Sequence, residues 1–231
     1  MSEYFPVSVS EILAEAREMI SRNTGMLAAW ILGAGICFGA ADYLLDMWRD
    51  GNSQNSNPIT SIGQTVVQYF LISRLLFAEG MIGTPAPGRF GSFFGASILG
   101  ALGIILGALL FLLPGLLLAC RWYLGPVIAI AEGTGASDAL SRSAAATGGN
   151  RWSLFWVMVI YWLVFGIFMV GEGVAFAMMG GGDQHSATAL FALALTMNLS
   201  VVLCEAMGAA FHVAAYKLIG RPGSDLREIF A

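Results

Sequence analysis

The side chains with chemical potential in this chain are ionisable groups set into apolar stretches: Arg74, Glu79, Arg121, Glu172 and Glu205. An unpaired charge in a low-dielectric interior costs about several kcal/mol. Such groups therefore form ion pairs that fix helix register, or they line a path for protons or an ionic substrate. Asn198, Glu205 and His212 recur at heptad spacing, which on a helix drifts only about 20° per step and makes a single polar stripe. Asp42 and Asp46 lie one helical turn apart near the end of an apolar run, as a solvated rim or a weak cation site. A further group, Glu132, Asp138, Leu140, Arg142 and Arg151, falls in a polar run that can dock a partner or lie on a membrane surface. No nucleophile stands beside a base, no His and Cys residues share ligand spacing, and no phosphate-binding loop is present. Neither a catalytic residue, a cofactor nor a metal is expected.

The elements that position these groups are helices in lipid. Of 231 residues 57% are hydrophobic and only 11% charged, with mean hydropathy +0.74, far from the roughly 25% charged residues of a soluble domain. From Phe90 to Ala131 Arg121 is the only charge. That run is too long for one crossing of about 20 residues, and Pro114-Gly115 can separate one helix from the next. Apolar segments near 26–48, 59–82, 90–112, 115–131, 152–179 and 187–219 predict an all-α polytopic bundle of about six spans in one membrane domain over 1–231. Gly-rich faces on the first and third spans suit close helix contact, in a homo-oligomer or with a membrane-protein partner. Arg74 and Glu79 point about 140° apart on the second span and do not pair within it. Arg121 needs a carboxylate or open carbonyls from elsewhere. Cys37, Cys120 and Cys204 lie singly in apolar runs, as free buried thiols.

Residues 7–22 alternate at helical spacing between Ile12, Leu13, Ala16, Met19 and Ile20 on one side and Glu11, Glu15, Arg17, Glu18 and Arg22 on the other, and Ser8 with Glu11 forms a capping box. This is an amphipathic helix, on the membrane face or packed on the bundle. A second short helix follows the fourth span, with Ser137 as N-cap and Gly148-Gly149 as its end. The amino terminus lacks the basic and apolar regions of a signal peptide, so the first span is the expected insertion signal. Arg17, Arg22, Arg89, Arg142, Arg151, Lys217, Arg221 and Arg227 fall on one side of the predicted topology and Arg49 on the other. The positive-inside rule then puts both termini in the cytoplasm. No basic tract suggests nucleic acid.

The run from Leu112 to Phe155, with Pro114-Gly115, Arg121-Trp122, Pro126, Glu132, Ala139-Leu140, Arg142-Ser143 and Gly149-Asn150-Arg151-Trp152, resembles the bacterial glycerophosphoryl diester phosphodiesterase membrane domain family and the related YciC-like inner-membrane proteins. The resemblance implies a multi-pass protein of a bacterial cytoplasmic membrane. In members that hydrolyse glycerophosphodiesters a separate soluble barrel carries the chemistry, and no such barrel fits within this chain. The expected function is a non-enzymatic membrane scaffold or accessory subunit in contact with lipids. The alternative is a transporter or ABC-permease-like subunit that uses Arg74, Arg121 and Glu205.

Overall fold

The computed structural model describes residues 6–48, 58–85, 88–178 and 187–220. Among these the elements are helices only: α1 Val9–Arg22, α2 Thr24–Trp48, α3 Pro58–Ala78, α4 Phe90–Leu110, α5 Leu112–Trp122, α6 Gly125–Glu132, α7 Ala136–Ala146, α8 Arg151–Met178 and α9 Ala187–Ala215, the last running into a π-helical turn at Tyr216–Gly220. The expected loop and turn at 49–57 and 180–186, Arg49, Arg221, Arg227 and the side chain of Asp46 lie outside the described residues.

Among the described residues five stretches are long and apolar enough to cross a membrane: Thr24–Leu45, Phe90–Leu110, Leu113–Glu132, Arg151–Ala175 and Ala187–Gly220. The expected second span is not among them, because Gln64, Gln68 and Arg74 dilute α3. A multi-pass helical membrane architecture stands, while a count of six does not follow from apolarity alone.

α2 and α9 form the central antiparallel pair. Gly39 and Gly35 make it possible: a Cβ at Gly39 would lie 2.8 Å from Leu195 Cα, and one at Gly35 3.1 Å from Leu199 Cα. Small residues let two backbones approach where lipid offers no hydrophobic drive for association. The second close pair is α4 with α5. The chain reverses at Phe111, which is extended at φ −160° and ψ 146°, and not at Pro114, where the residue types predict the break. Pro114 sits in the first turn of α5, where a missing N–H costs no helical bond.

The expected single helix at 115–131 is broken into α5 and α6. Pro126, near the start of α6, has no N–H to give the carbonyl of Trp122. The ladder lapses there, and the Leu124 N–H donates instead to Ser143 Oγ at 3.1 Å. α7 starts two residues earlier than expected, with Gly135 in place of Ser137 at its N-cap. Its apolar face is not free: Ala139 and Ser143 are fully buried, and Leu140 lies against Gly125, where a Cβ would meet its Cδ2 at 2.7 Å.

α1 is packed on the bundle, with Ile12, Ala16 and Met19 at 0% exposure. Its capping box is complete: the Glu11 N–H donates to Ser8 Oγ at 3.3 Å and the Ser8 N–H to Glu11 Oε2 at 2.6 Å, and the Ser8 hydroxyl adds a bond to that same Oε2 at 2.8 Å. These bonds hold the Glu11 carboxyl below its ordinary 4.5. A lowered carboxylate gives stability that is full above the ordinary value and lost as pH falls through the lowered one. The unfolding temperatures of the wild type and Glu11→Gln should therefore differ at neutral pH, begin to approach each other as pH falls below about 4.5 and coincide only below the lowered value.

Candidate functional site

The polar groups of the bundle gather in four places. At the end of α9 the π-helical turn directs Lys217 into two acids from distant elements. Its Nζ donates to Glu15 Oε1 of α1 at 2.5 Å and to Glu79 Oε2, just beyond α3, at 3.0 Å. Arg22 closes the ring with Glu79 at 3.1 Å and Glu15 at 3.5 Å. The Glu79 side chain is 6% exposed while Lys217 and Arg22 keep access to water, so a buried carboxylate is tied to three elements by half-exposed cations. Glu79 is thus in an ion pair, but not with Arg74.

Beside it, Glu132 at the end of α6 pairs with Arg142 of α7 and accepts a bond from Tyr216 Oη at 3.2 Å. Arg89 reaches back from the start of α4 to the carbonyls of Ile130 and Ala131, at 2.7 and 3.2 Å. A cation on the last carbonyls of a helix complements its dipole. Gly133 then takes a left-handed φ of 68° with the Arg89 guanidinium packed against it.

The third place is the α5–α6 break. Ser143 Oγ donates to the Arg121 carbonyl at 2.8 Å, and Thr147 Oγ1 lies 3.2 Å from the same oxygen. Ser143 thereby caps both sides of the interruption. Ser143→Ala should orphan the buried Leu124 N–H and weaken the fold by about 1–3 kcal/mol, read as a lower unfolding temperature in detergent. Ser143→Thr should lose less.

The fourth lies in the other half of the bundle. Asp42 of α2 accepts from Thr60 Oγ1 of α3 at 2.5 Å and from Asn198 Nδ2 of α9 at 3.0 Å. Thr60 and Asn198 are 7% and 6% exposed. Neutral donors satisfy the carboxylate where three helices meet.

The sequence-derived cluster of Arg74, Arg121 and Glu205 is not assembled. Both guanidinium groups sit on exposed positions, and among the described residues no ion pair joins either to Glu205, Glu172 or Glu79. Side chains this long reach the bundle's periphery at less cost than a buried pair. The acids remain between α8 and α9. Cys204 is within electrostatic reach of both Glu172 and Glu205, and buried carboxylate oxygens of both residues lack a hydrogen-bond partner among the described residues. His212 bonds the Gly208 carbonyl at 2.7 Å and stacks on Tyr123 at 4.2 Å. The heptad stripe therefore splits: Asn198 and His212 serve two separate contacts, and Glu205 lies between them. Asp138 and Arg151 are exposed at the first turns of α7 and α8. Cys37 is exposed on α2, unlike buried Cys120 and Cys204. Among the described residues no group of three or more His, Cys, Asp or Glu side chains is placed to hold a metal.

Glu15, Lys217, Tyr216 and Thr60 were missed from sequence as site residues. One signal was available: Lys217 is the chain's only lysine and ends its last apolar run.

Fold and polar contacts together define a multi-pass helical membrane protein whose helix ends are cross-tied by charge. The chain belongs to the family described as a domain of unknown function, DUF7847, whose model matches residues 59–219. That match is compatible with an uncharacterised membrane family and leaves the likeness to the glycerophosphoryl diester phosphodiesterase membrane domain as a resemblance. No curated protein and no solved structure matches the chain.

Proposed function

We propose that this protein is a non-enzymatic membrane scaffold or accessory subunit, in contact with lipids and with a membrane-protein partner or a second copy of itself. It lies in a bacterial cytoplasmic membrane with both termini in the cytoplasm. One observation carries the reading: charges at the end of the bundle that bears α1 are spent on one another, while Arg74, Arg121 and Arg151 remain on exposed positions. A rigid, self-neutralised plate with basic groups at its margin suits binding better than turnover. The two cavities described are lined by Met81, Ile82, Gly83, Thr84, Arg89 and Ala131, and by apolar groups of α1, α2 and α9. Neither reaches Glu172 or Glu205.

Crosslinking in native membranes followed by mild-detergent capture tests this. A stoichiometric partner or dimer that is lost on Arg74→Ala with Arg121→Ala supports the reading, and a chain recovered alone in both cases sinks it. Transport is the second reading, favoured by the unpartnered Glu172 and Glu205 carboxylates inside the bundle. Proton-coupled uptake in liposomes that fails with Glu205→Gln would put transport first.

A further inference from the structure

One level can be followed through the bundle. Tyr123 stacks on His212, which fixes the inner end of α5 against α9. Glu79 meets Lys217 slightly further along, and Arg74 precedes Glu79 by about 7 Å of helix, so it returns to nearly the height of His212. Arg121 and Arg74 are both exposed there. α7 climbs to the same height, since Ser143 and Thr147 touch the Arg121 carbonyl. Over its first two turns α7 turns Ser137, Asp138, Ser141 and Arg142 outward, and its last turn and cap are followed by exposed Gly148 and Gly149. A helix with such a face lies in water or among headgroups, not in hydrocarbon. The edge of the hydrocarbon therefore passes near Arg74, Arg121 and the end of α7, and not further down at Arg89 and Glu132.

From that edge the helices reach different depths. At about 1.5 Å per residue, α9 rises about 38 Å from His212 back to Ala187, α2 about 36 Å from Thr24 to Trp48, and α3 about 24 Å from Arg74 back to Pro58, against a core of about 30 Å. The α4–α5 hairpin goes less far. Gly103 of α4 is pressed by the Trp122 ring, and Gly107 by Gly115, so the two arms are antiparallel and in register. From Gly103 to Leu110 the first arm climbs about 11 Å, and from Arg121 back to Leu112 the second spans about 14 Å. The chain then turns at Phe111. Apolar exposure follows the same gradient, from 38% at Phe94 through 52% at Leu102 to 77% at Leu109 and 76% at Phe111.

We infer that the α4–α5 hairpin is a re-entrant wedge. It enters the hydrocarbon from the face that bears α1 and α7, turns at Phe111 near the bilayer midplane, and leaves by the same face. The acyl chains of that one leaflet are what its apolar surface binds. α2, α8 and α9 are then each longer than the core, α3 carries the chain back through most of it, and the hairpin replaces two crossings without changing which face carries α1 and the π-helical turn. The inference rests on the reading of the chain as a membrane protein.

The test uses the full chain in phosphatidylcholine–phosphatidylglycerol vesicles, with exposed Cys37 replaced by Ala. An environment-sensitive fluorophore is attached at Leu110→Cys, Ile98→Cys or Leu163→Cys, all exposed positions. Its depth is read by quenching from spin labels at the lipid headgroup or at the chain end. The wedge requires the Leu110 label to be the deeper of the α4 pair, with chain-end quenching about twofold above that at Ile98, which lies at the interface. A membrane-crossing α4 reverses that order, because Ile98 would then lie near mid-helix and Leu110 near the far surface. Ile98 as deep as or deeper than Leu110 overturns the proposal. Leu163 on α8 reports separately: a water-exposed Leu163 label defeats the membrane reading itself. Should Leu110→Cys fail to fold, Phe111→Cys takes its place with the same expected order.

Discussion

Lys217→Met should loosen α1 from the bundle and lower stability by about 1–3 kcal/mol, the cost of leaving the buried Glu79 carboxylate with too little opposite charge. Glu79 is the reason for so large an effect. At 6% side-chain exposure it has almost no water to turn to, and Arg22, itself 47% exposed, would have to neutralise both Glu79 and Glu15. The consequence is local as well as global. α1 touches α9 through Ile12, Ala16 and Met19, and Lys217 is the charge that holds Glu15 against the same helix. Its release should expose Arg17 and Arg22 to trypsin before the rest of the chain unfolds. The check is a detergent unfolding curve together with tryptic cleavage rate. A double change, Lys217→Met with Glu79→Gln, should recover some of the loss, since both members of the pair are then neutral. A Lys217→Met protein as stable and as protease-resistant as the wild type would mean the network is held by Arg22 alone.

Which of these features the sequence discloses depends on the range of the interaction. The capping box at Ser8 and Glu11, the apolar face of α1 and the helical character of the apolar runs are set by neighbours within a few turns, and these are present, although the run at 115–131 is two helices and the second expected span is not apolar enough to count as one. The ion pairs are not local. Glu15 and Lys217 are 202 residues apart, and nothing in either segment says that a π-helical turn will swing the lysine toward α1. Charge counting therefore assigns partners to Arg74 and Arg121 because charges in apolar runs need neutralising, whereas both side chains reach the periphery. Asp42 is the converse case: its position suits a rim carboxylate, but Thr60 and Asn198 come to it from helices far along the chain. The break between α5 and α6 is legible in principle from Pro126. The unbroken apolar run around that proline hides it, because apolarity alone reads as one helix.

Gly115→Val should be the most damaging single change in the apolar half of the protein, at about 3 kcal/mol. A Cβ there would lie 2.7 Å from the Ala108 backbone nitrogen and 2.9 Å from its Cα. Backbone atoms cannot rotate aside, so the two arms of the hairpin must separate. Separation would also lift Trp122 from Gly103, whose Cβ position the indole ring overlaps, and α5 is the element that sets Arg121 and its carbonyl beneath Ser143. Strain at the hairpin therefore runs into the α5–α6 break, and Gly115→Val combined with Ser143→Ala should cost less than the sum of the two alone. Gly166 is the control. It sits on α8 with nothing within 4 Å of its Cβ position, so Gly166→Ala should be neutral or raise stability by up to about 1 kcal/mol through helix propensity. Unfolding temperatures in one detergent decide it. Equal effects at the two glycines would show that the arms do not meet at Gly115, and the depth assigned to Phe111 would go with them.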